Sequence, residues 1–327
     1  MASKTAPSRS RWLARASAAG RALAAASLAA AVLVACAPGD EGEASQGRAY
    51  SDGEAQGPSR LARIHLIVQP APDPLGTEPQ LDVTARFVRF RGLDDEYVRA
   101  RVGVTPLAHE RLAIGQCQSA DLLEAIEVGE RPLSGPRELL LIDAGNLRIR
   151  VGGVQVEVPL VLLPDLLPYM SGVEYAEVLD ALPTVFSIAD ERTSVTLELE
   201  GSGDDEVPAT AVRARLPRPL GLQTQGSFDS DALVLRWRTD PETTGPLILR
   251  IASYVGSEPL GNEVVCAAAD TGEYGLDLKA LRELGLGAAG EGLRVSASRI
   301  AVGSFEAGEF TAGELILEIR DTLFVVP

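Results

Sequence analysis

Three cysteines, two histidines and several runs of carboxylates are the groups in this chain with chemistry to offer. Cys36 follows Leu33-Val34-Ala35 at the end of an uncharged run that begins at Ala22. A cysteine thiolate is a strong nucleophile, and small residues ahead of it let a peptidase seat an extended backbone. That spacing points to acylation of the sulfur, not to catalysis by it. Activation of a serine needs a histidine, and only His65 and His109 exist. His65 falls inside an alternating, strand-like run, and no Gly-x-Ser-x-Gly elbow is present. His-Glu-x-x-His and Cys-x-x-Cys are absent too, so no zinc or other metal site and no cofactor is expected. Gly201-Ser202-Gly203 leads into acids that would repel phosphate.

Carboxylates cluster at Asp94-Asp95-Glu96, Asp204-Asp205-Glu206 and Asp229-Ser230-Asp231. None matches a calcium loop, and acids at hairpin tips are commonly solvated. A pair of carboxylates from distant positions could hydrolyse a glycoside, but that pairing is spatial and has no sequence signature. Sugar binding by exposed aromatics lacks material. Trp237 alternates with Leu233 and Leu235 and is expected in a core, and packing is the commoner role for Tyr254 and Tyr274. Aromatics are also too few for the two girdles of a transmembrane barrel.

The N-terminus explains Cys36. Lys4, Arg9, Arg11, Arg15 and Arg21 precede the apolar run, and no acid occurs before Asp40. A basic segment followed by a short apolar one is the pattern of a secretory signal. The run is shorter than the ~20 apolar residues of a spanning helix. Leu33-Val34-Ala35-Cys36 resembles the lipobox of bacterial lipoproteins, which implies lipidation of Cys36 after cleavage. By the same resemblance, Ala37 in place of Asp favours the outer membrane. Residues 1–35 are therefore read as a lipoprotein signal peptide. Residues 36–60 are read as the lipidated cysteine and a disordered tether, because Gly, Glu, Ser, Gln and Pro dominate there. Such a coil spans roughly 25–30 Å.

The mature chain would carry 25 basic and 46 acidic side chains, a net charge of −21, since five basic residues and no acidic one precede Cys36. Nucleic acid and anionic lipid are excluded as partners on that ground. The membrane is reached through the N-terminal lipid only. In an oxidising compartment Cys117 and Cys266 either pair or stay as separate buried thiols.

About 270 residues remain past the tether, room for two domains. Alternation of apolar and polar residues marks strands at 62–68, 81–90, 97–104, 139–142, 147–151, 154–158, 193–199 and 208–216. Gly152-Gly153 is a hairpin signal. Helical spacing occurs at 120–128, and a three-residue recurrence at 172–182 suggests a short helix or turn. Pro164, Pro168 and Pro183 break the segments around them. Pro217 and Pro219 mark a linker. Strands restart at 233–238, 247–254, 263–268, 273–276, 293–300 and 314–319, with a helical turn at 279–284 closed by Gly285. The expectation is an all-β protein of two antiparallel β-sandwich domains with a few short helices, at 61–216 and 217–327.

Asp231 to Trp237 with Pro246 to Ile251 resembles strands B and C of a fibronectin type III domain, which implies an Ig-like sandwich for 217–327. Leu140-Leu-Ile-Asp143-Ala-Gly145-Asn-Leu, Ser171-Gly172-Val-Glu-Tyr175 and Val265-Cys266 with Asp270-Thr-Gly272 together resemble a group of uncharacterised two-domain lipoproteins of myxobacteria. That resemblance implies architecture and envelope location and carries no activity. The residues favour a non-enzymatic envelope lipoprotein that binds or presents an envelope protein or glycan. The alternative is a carbohydrate- or polymer-processing enzyme using Asp and Glu.

Overall fold

The computed structural model describes residues 59–70, 80–102, 112–124, 137–167, 170–180, 193–203, 207–226, 228, 230–256, 258–288, 290–306, 310 and 312–326. Cys36, positions 37–58 of the expected tether, His109, Pro168, Pro183 and Asp204-Asp205-Glu206 lie outside the described residues.

The fold is all-β, with three short helices among the described residues. Its largest layer is a ten-stranded sheet with the order β3-β14-β13-β16-β17-β1-β2-β4-β8-β7. These strands are β1 (Ser59–Gln69), β2 (Gln80–Arg91), β3 (Cys117–Ser119), β4 (Glu138–Leu141), β7 (Leu160–Leu167), β8 (Met170–Asp180), β13 (Leu247–Val255), β14 (Glu258–Ala268), β16 (Gly292–Phe305) and β17 (Ala312–Val325). Strand pairing is antiparallel except between β1 and β17 and between β4 and β8.

Two smaller sheets cover one face of this layer. The first runs β10 (Thr210–Arg215), β9 (Ser194–Leu199), β5 (Leu147–Val151), β6 (Val154–Val158). The second runs β11 (Gln223–Gln225), β12 (Ala232–Arg236), β15 (Glu273–Asp277). Alternation puts Ile64, Leu66 and Phe87 of the large sheet against Ile149 and Leu197 of the first cover. It puts Leu249, Ile251 and Val295 against Leu233, Leu235 and Trp237 of the second. Each such side chain contributes about 1.5–3 kcal/mol by leaving water.

β17 serves both cores. Leu315, Leu317 and Ile319 line the first, and Leu323 and Val325 line the second. Asp321 and Arg299 occupy the same face where the cores meet, on adjoining positions of β17 and β16. Residues 217–222 cross this junction. The Gly221 N–H donates to Asp321 Oδ2 at 2.6 Å, and the Arg218 N–H donates to Asp240 Oδ2 at 3.1 Å. The ten-stranded sheet draws strands from both sides of position 217.

The other face of the large sheet carries two apolar clusters with a polar strip between them. Helix α1 (Asp95–Val102) sets Tyr97 and Val98 on Val88, Phe90 and Leu139. Helix α2 (Ala120–Glu124) sets Leu123 on Ile248 and Val265. Helix α3 (Leu278–Glu283) belongs to the second core, capped by Asp277 accepting from the Lys279 and Ala280 N–H groups at 2.9 and 3.0 Å.

Several expectations need correction. Ser59 and Arg60 belong to β1, not to the tether. The segment from Tyr97 is helix α1 and not a strand. Asp94 starts it by accepting from the Tyr97 N–H on its side chain and from the Val98 N–H on its carbonyl, an N-cap that overrides the alternation. The segment from Gly172 is strand β8 and not a helix, because β2, β4 and β7 all pair with it. Pro164 sits within β7 at a register irregularity, which an outermost strand tolerates. The Gly152-Gly153 turn joins β5 to β6 with φ of 55° and 89°, as a two-residue hairpin requires.

Candidate functional site

Cys117 and Cys266 face each other across β3 and β14, and their Sγ atoms are 2.05 Å apart in a disulfide. The bond closes a separation of 149 residues and ties β3 to the sheet edge. Backbone bonds support it: the Gly115 N–H donates to Ala267 O at 2.7 Å, and the Ala267 N–H donates to Gln116 O at 2.9 Å. The Tyr274 hydroxyl lies 3.6 Å from Cys117 Sγ, and its partial burial raises its pKa.

His65 and a serine meet the same carboxylate, which is the wrong order for nucleophilic catalysis. Its Nε2 is 3.0 Å from Glu318 Oε2. The Ser298 hydroxyl donates to Glu318 Oε1 at 2.6 Å, and Arg320 donates to the same oxygen at 2.7 and 3.0 Å. The serine proton therefore points at the carboxylate and not at the imidazole. Burial alone would push the Glu318 carboxyl up. The His65 hydrogen bond, the Arg320 charge and the Ser298 hydroxyl outweigh that and hold it well below the usual range. A carboxylate so stabilised is a poor base. Nearby Asp82 is shifted the other way, chiefly by burial. This cluster holds β1, β16 and β17 together on the polar strip, beside Arg63 and Arg99, which both pair with Glu314.

The cleft of greatest chemical interest lies between the edge of the large sheet and the first cover. It has a volume of about 680 Å³, and Asp143, Glu157, Glu177 and Glu200 line it with Tyr175. The Tyr175 ring is buried and its hydroxyl is the hub. It accepts from the Ala144 N–H at 2.8 Å and lies 2.7 Å from Asp143 Oδ1 and 2.8 Å from Gly145 O. This joins two of the three segments that carry the lipoprotein resemblance. Gly145 has φ 79°, and a Cβ there would lie 2.2 Å from Gly201 O, so the loops at 143–146 and 200–203 touch backbone to backbone.

Arg148 donates to Glu200 at 2.5 Å and to Glu157 at 3.3 Å, which leaves the cleft net negative. The four acids do not converge on a point. Among the described residues no three His, Cys, Asp or Glu side chains approach closely enough to share a metal ion. Of the acid clusters seen in sequence, Asp94 caps α1 and Asp231 accepts the Leu278 N–H on its carbonyl. Glu157, Glu177 and Glu200 escape sequence reasoning: Glu157 is one polar position in an ordinary alternating run, Glu177 sits in the segment whose spacing suggests a helix or turn, and Glu200 follows the end of its strand.

A second concavity of about 500 Å³ lies over Trp237, Arg218 and Arg238. Beneath it Asp270 accepts from Trp237 Nε1 at 2.7 Å and from Arg299 at 2.8 and 2.9 Å. Arg299 also donates to the carbonyls of Arg218 and Arg238, both at 2.6 Å. The third resemblance segment, with Cys266 and Asp270, is thus a structural anchor. Asp321 has one buried oxygen without a hydrogen-bond partner, and burial raises its pKa.

A scan against protein-family models finds no match to the chain, and a search of the curated proteins finds none either.

Proposed function

We propose that the chain is an exported protein, anchored by lipid on Cys36 to the outer membrane, with a binding or structural role in the cell envelope. The observation that carries this is the basic segment, the apolar run and Leu33-Val34-Ala35-Cys36 in that order. The chemistry-bearing side chains described above support a non-catalytic role. The His65 ring, Glu318 and Asp270 are each engaged in bonds that hold strands or loops together. Labelling cells with an alkyne analogue of palmitate tests the anchor. The wild-type chain takes up label and partitions into detergent, and Cys36→Ala does neither. An unlabelled wild-type chain would overturn the anchor.

The acid-lined cleft favours the second reading, a polymer-processing enzyme of the same compartment. Its acids are the only basis for that reading. Turnover of an envelope polysaccharide that is lost in Glu157→Gln or Asp143→Asn would establish it in place of the first.

A further inference from the structure

The acid-lined cleft opens beside the free edge of the ten-stranded sheet. β7 ends the sheet order, so among the described residues its outward N–H and C=O groups meet no strand. β7 pairs with β8 from Leu160 opposite Tyr175, and the Ala176 N–H donates to Pro159 O at 3.2 Å. Beyond that point Glu177 to Asp180 pair with β2 on one side and with no described strand on the other.

Exposed edges in folded proteins are commonly blunted by charges, prolines and bulges. On β7 such devices, Pro164, Asp165 and the register irregularity, fall in the second half of the strand, whereas the first half shows Leu160, Val161 and Leu162 in succession, exposed by 40, 40 and 77 %. Val178 of β8 adds a fourth exposed apolar side chain, at 56 %. By the pleat, Leu160, Leu162 and Glu177 share the cleft face with Tyr175. Apolar surface along an open edge, continuing into a negative cleft, defines what fits there. The occupant offers backbone groups to the edge, apolar side chains to Leu160 and Leu162, and positive charge to Glu177 and Glu157.

We propose that this edge is a docking surface for an extended segment of a partner protein, with alternating apolar residues followed by lysine or arginine, added as a further strand. Charge complementarity selects this occupant over a second copy of the chain. A second copy pairing through the same edge would bring Glu157, Glu177 and Glu200 of two clefts together in a protein that is already strongly acidic. Arg148 offsets part of the charge at Glu157 and Glu200 and leaves Glu177 facing the edge. The surface deepens the binding role proposed above and is independent of the lipid anchor.

The test uses the purified full chain and a dye-labelled peptide, Thr-Val-Thr-Val-Thr-Lys-Thr-Lys, followed by fluorescence anisotropy at low ionic strength. Saturable binding is expected, with slowed amide exchange at Leu160–Leu162. Replacing both lysines by glutamate abolishes it, and N-methylation of alternate peptide amides weakens it by about tenfold or more. Leu162→Lys, a surface change that leaves folding intact, weakens it similarly, as does Glu157→Gln with Glu177→Gln. Absence of saturable binding overturns the proposal. So does equal binding of the N-methylated peptide, which would mean attraction by charge alone. Self-association of the chain through β7, lost in Leu162→Lys, would make the occupant a second copy. None of these results depends on acylation, so the anchor stands or falls separately.

Discussion

Arg299 and Asp270 form a two-pronged ion pair inside the protein, with side chains only 1 % and 8 % exposed. The guanidinium also holds the carbonyls of Arg218 and Arg238, and the carboxylate also holds the Trp237 indole. One buried pair therefore ties β16, the turn after β14, the end of β12 and the segment crossing between the cores. Removing one partner strands the other charge without water, which costs about 3–5 kcal/mol. Arg299→Met should lower the unfolding free energy by that amount in urea titration. The double change Arg299→Met with Asp270→Leu should recover a large part. A loss under about 1 kcal/mol for the single change would mean the pair is not needed.

The Tyr175 hydroxyl joins β8 to the loop at 143–146. Tyr175→Phe leaves the Ala144 N–H without that acceptor and should cost about 1–3 kcal/mol. Gly145→Ala should cost at least about 1 kcal/mol, because Cβ meets Gly201 O and φ is positive. Both changes should also loosen the cleft, seen as faster amide exchange at 143–146. Slow exchange in both variants would contradict the hub.

Acid stability should carry the mark of Glu318. Its folded pKa is depressed, so its contribution is present above the unfolded value of 4.5 and is lost as pH falls through the lower folded value. Asp321 has the opposite sign. Its folded pKa is raised above 3.8, so the folded state binds the extra proton and stability falls as pH rises through that range. Glu318→Gln should thus lose most stability near neutrality and converge on the wild type in acid. The stability of Asp321→Asn relative to the wild type should rise as pH increases above the ordinary aspartate value of 3.8. Parallel pH profiles for variant and wild type would refute either assignment.

Reduction or Cys117→Ser with Cys266→Ser should destabilise the chain by about 2–5 kcal/mol, as expected for a cross-link closing 149 residues. The loss should be local as well as global. Amides at 115–119 and 264–267 should exchange faster, because β3 holds β14 by only three register pairs. Unchanged exchange there would show that β3 stays seated without the bond.

The strands legible from sequence are those whose two faces differ. β5 and β6 alternate strictly because one face meets the first core and the other meets water. The spacing in β8 misleads because its pairing partners lie on three other strands, which no local window contains. Helix α1 looks like a strand in sequence because apolar residues near its start mimic alternation, while the deciding group, the Asp94 carboxylate, precedes them. Parity alone puts Trp237 in a core, and it is buried there. The cleft could not be read in advance. Asp143, Glu157, Glu177 and Glu200 come from different strands and loops, and only the packing of one sheet over the other brings them together.

The proposed anchor depends on the sulfur of Cys36 carrying lipid. Mass spectrometry of the N-terminal peptide from protein purified out of the envelope tests it directly. The expected result is a chain beginning at Cys36 with a diacylglyceryl thioether. Residues before Cys36 still attached, or a free thiol at that position, would contradict it.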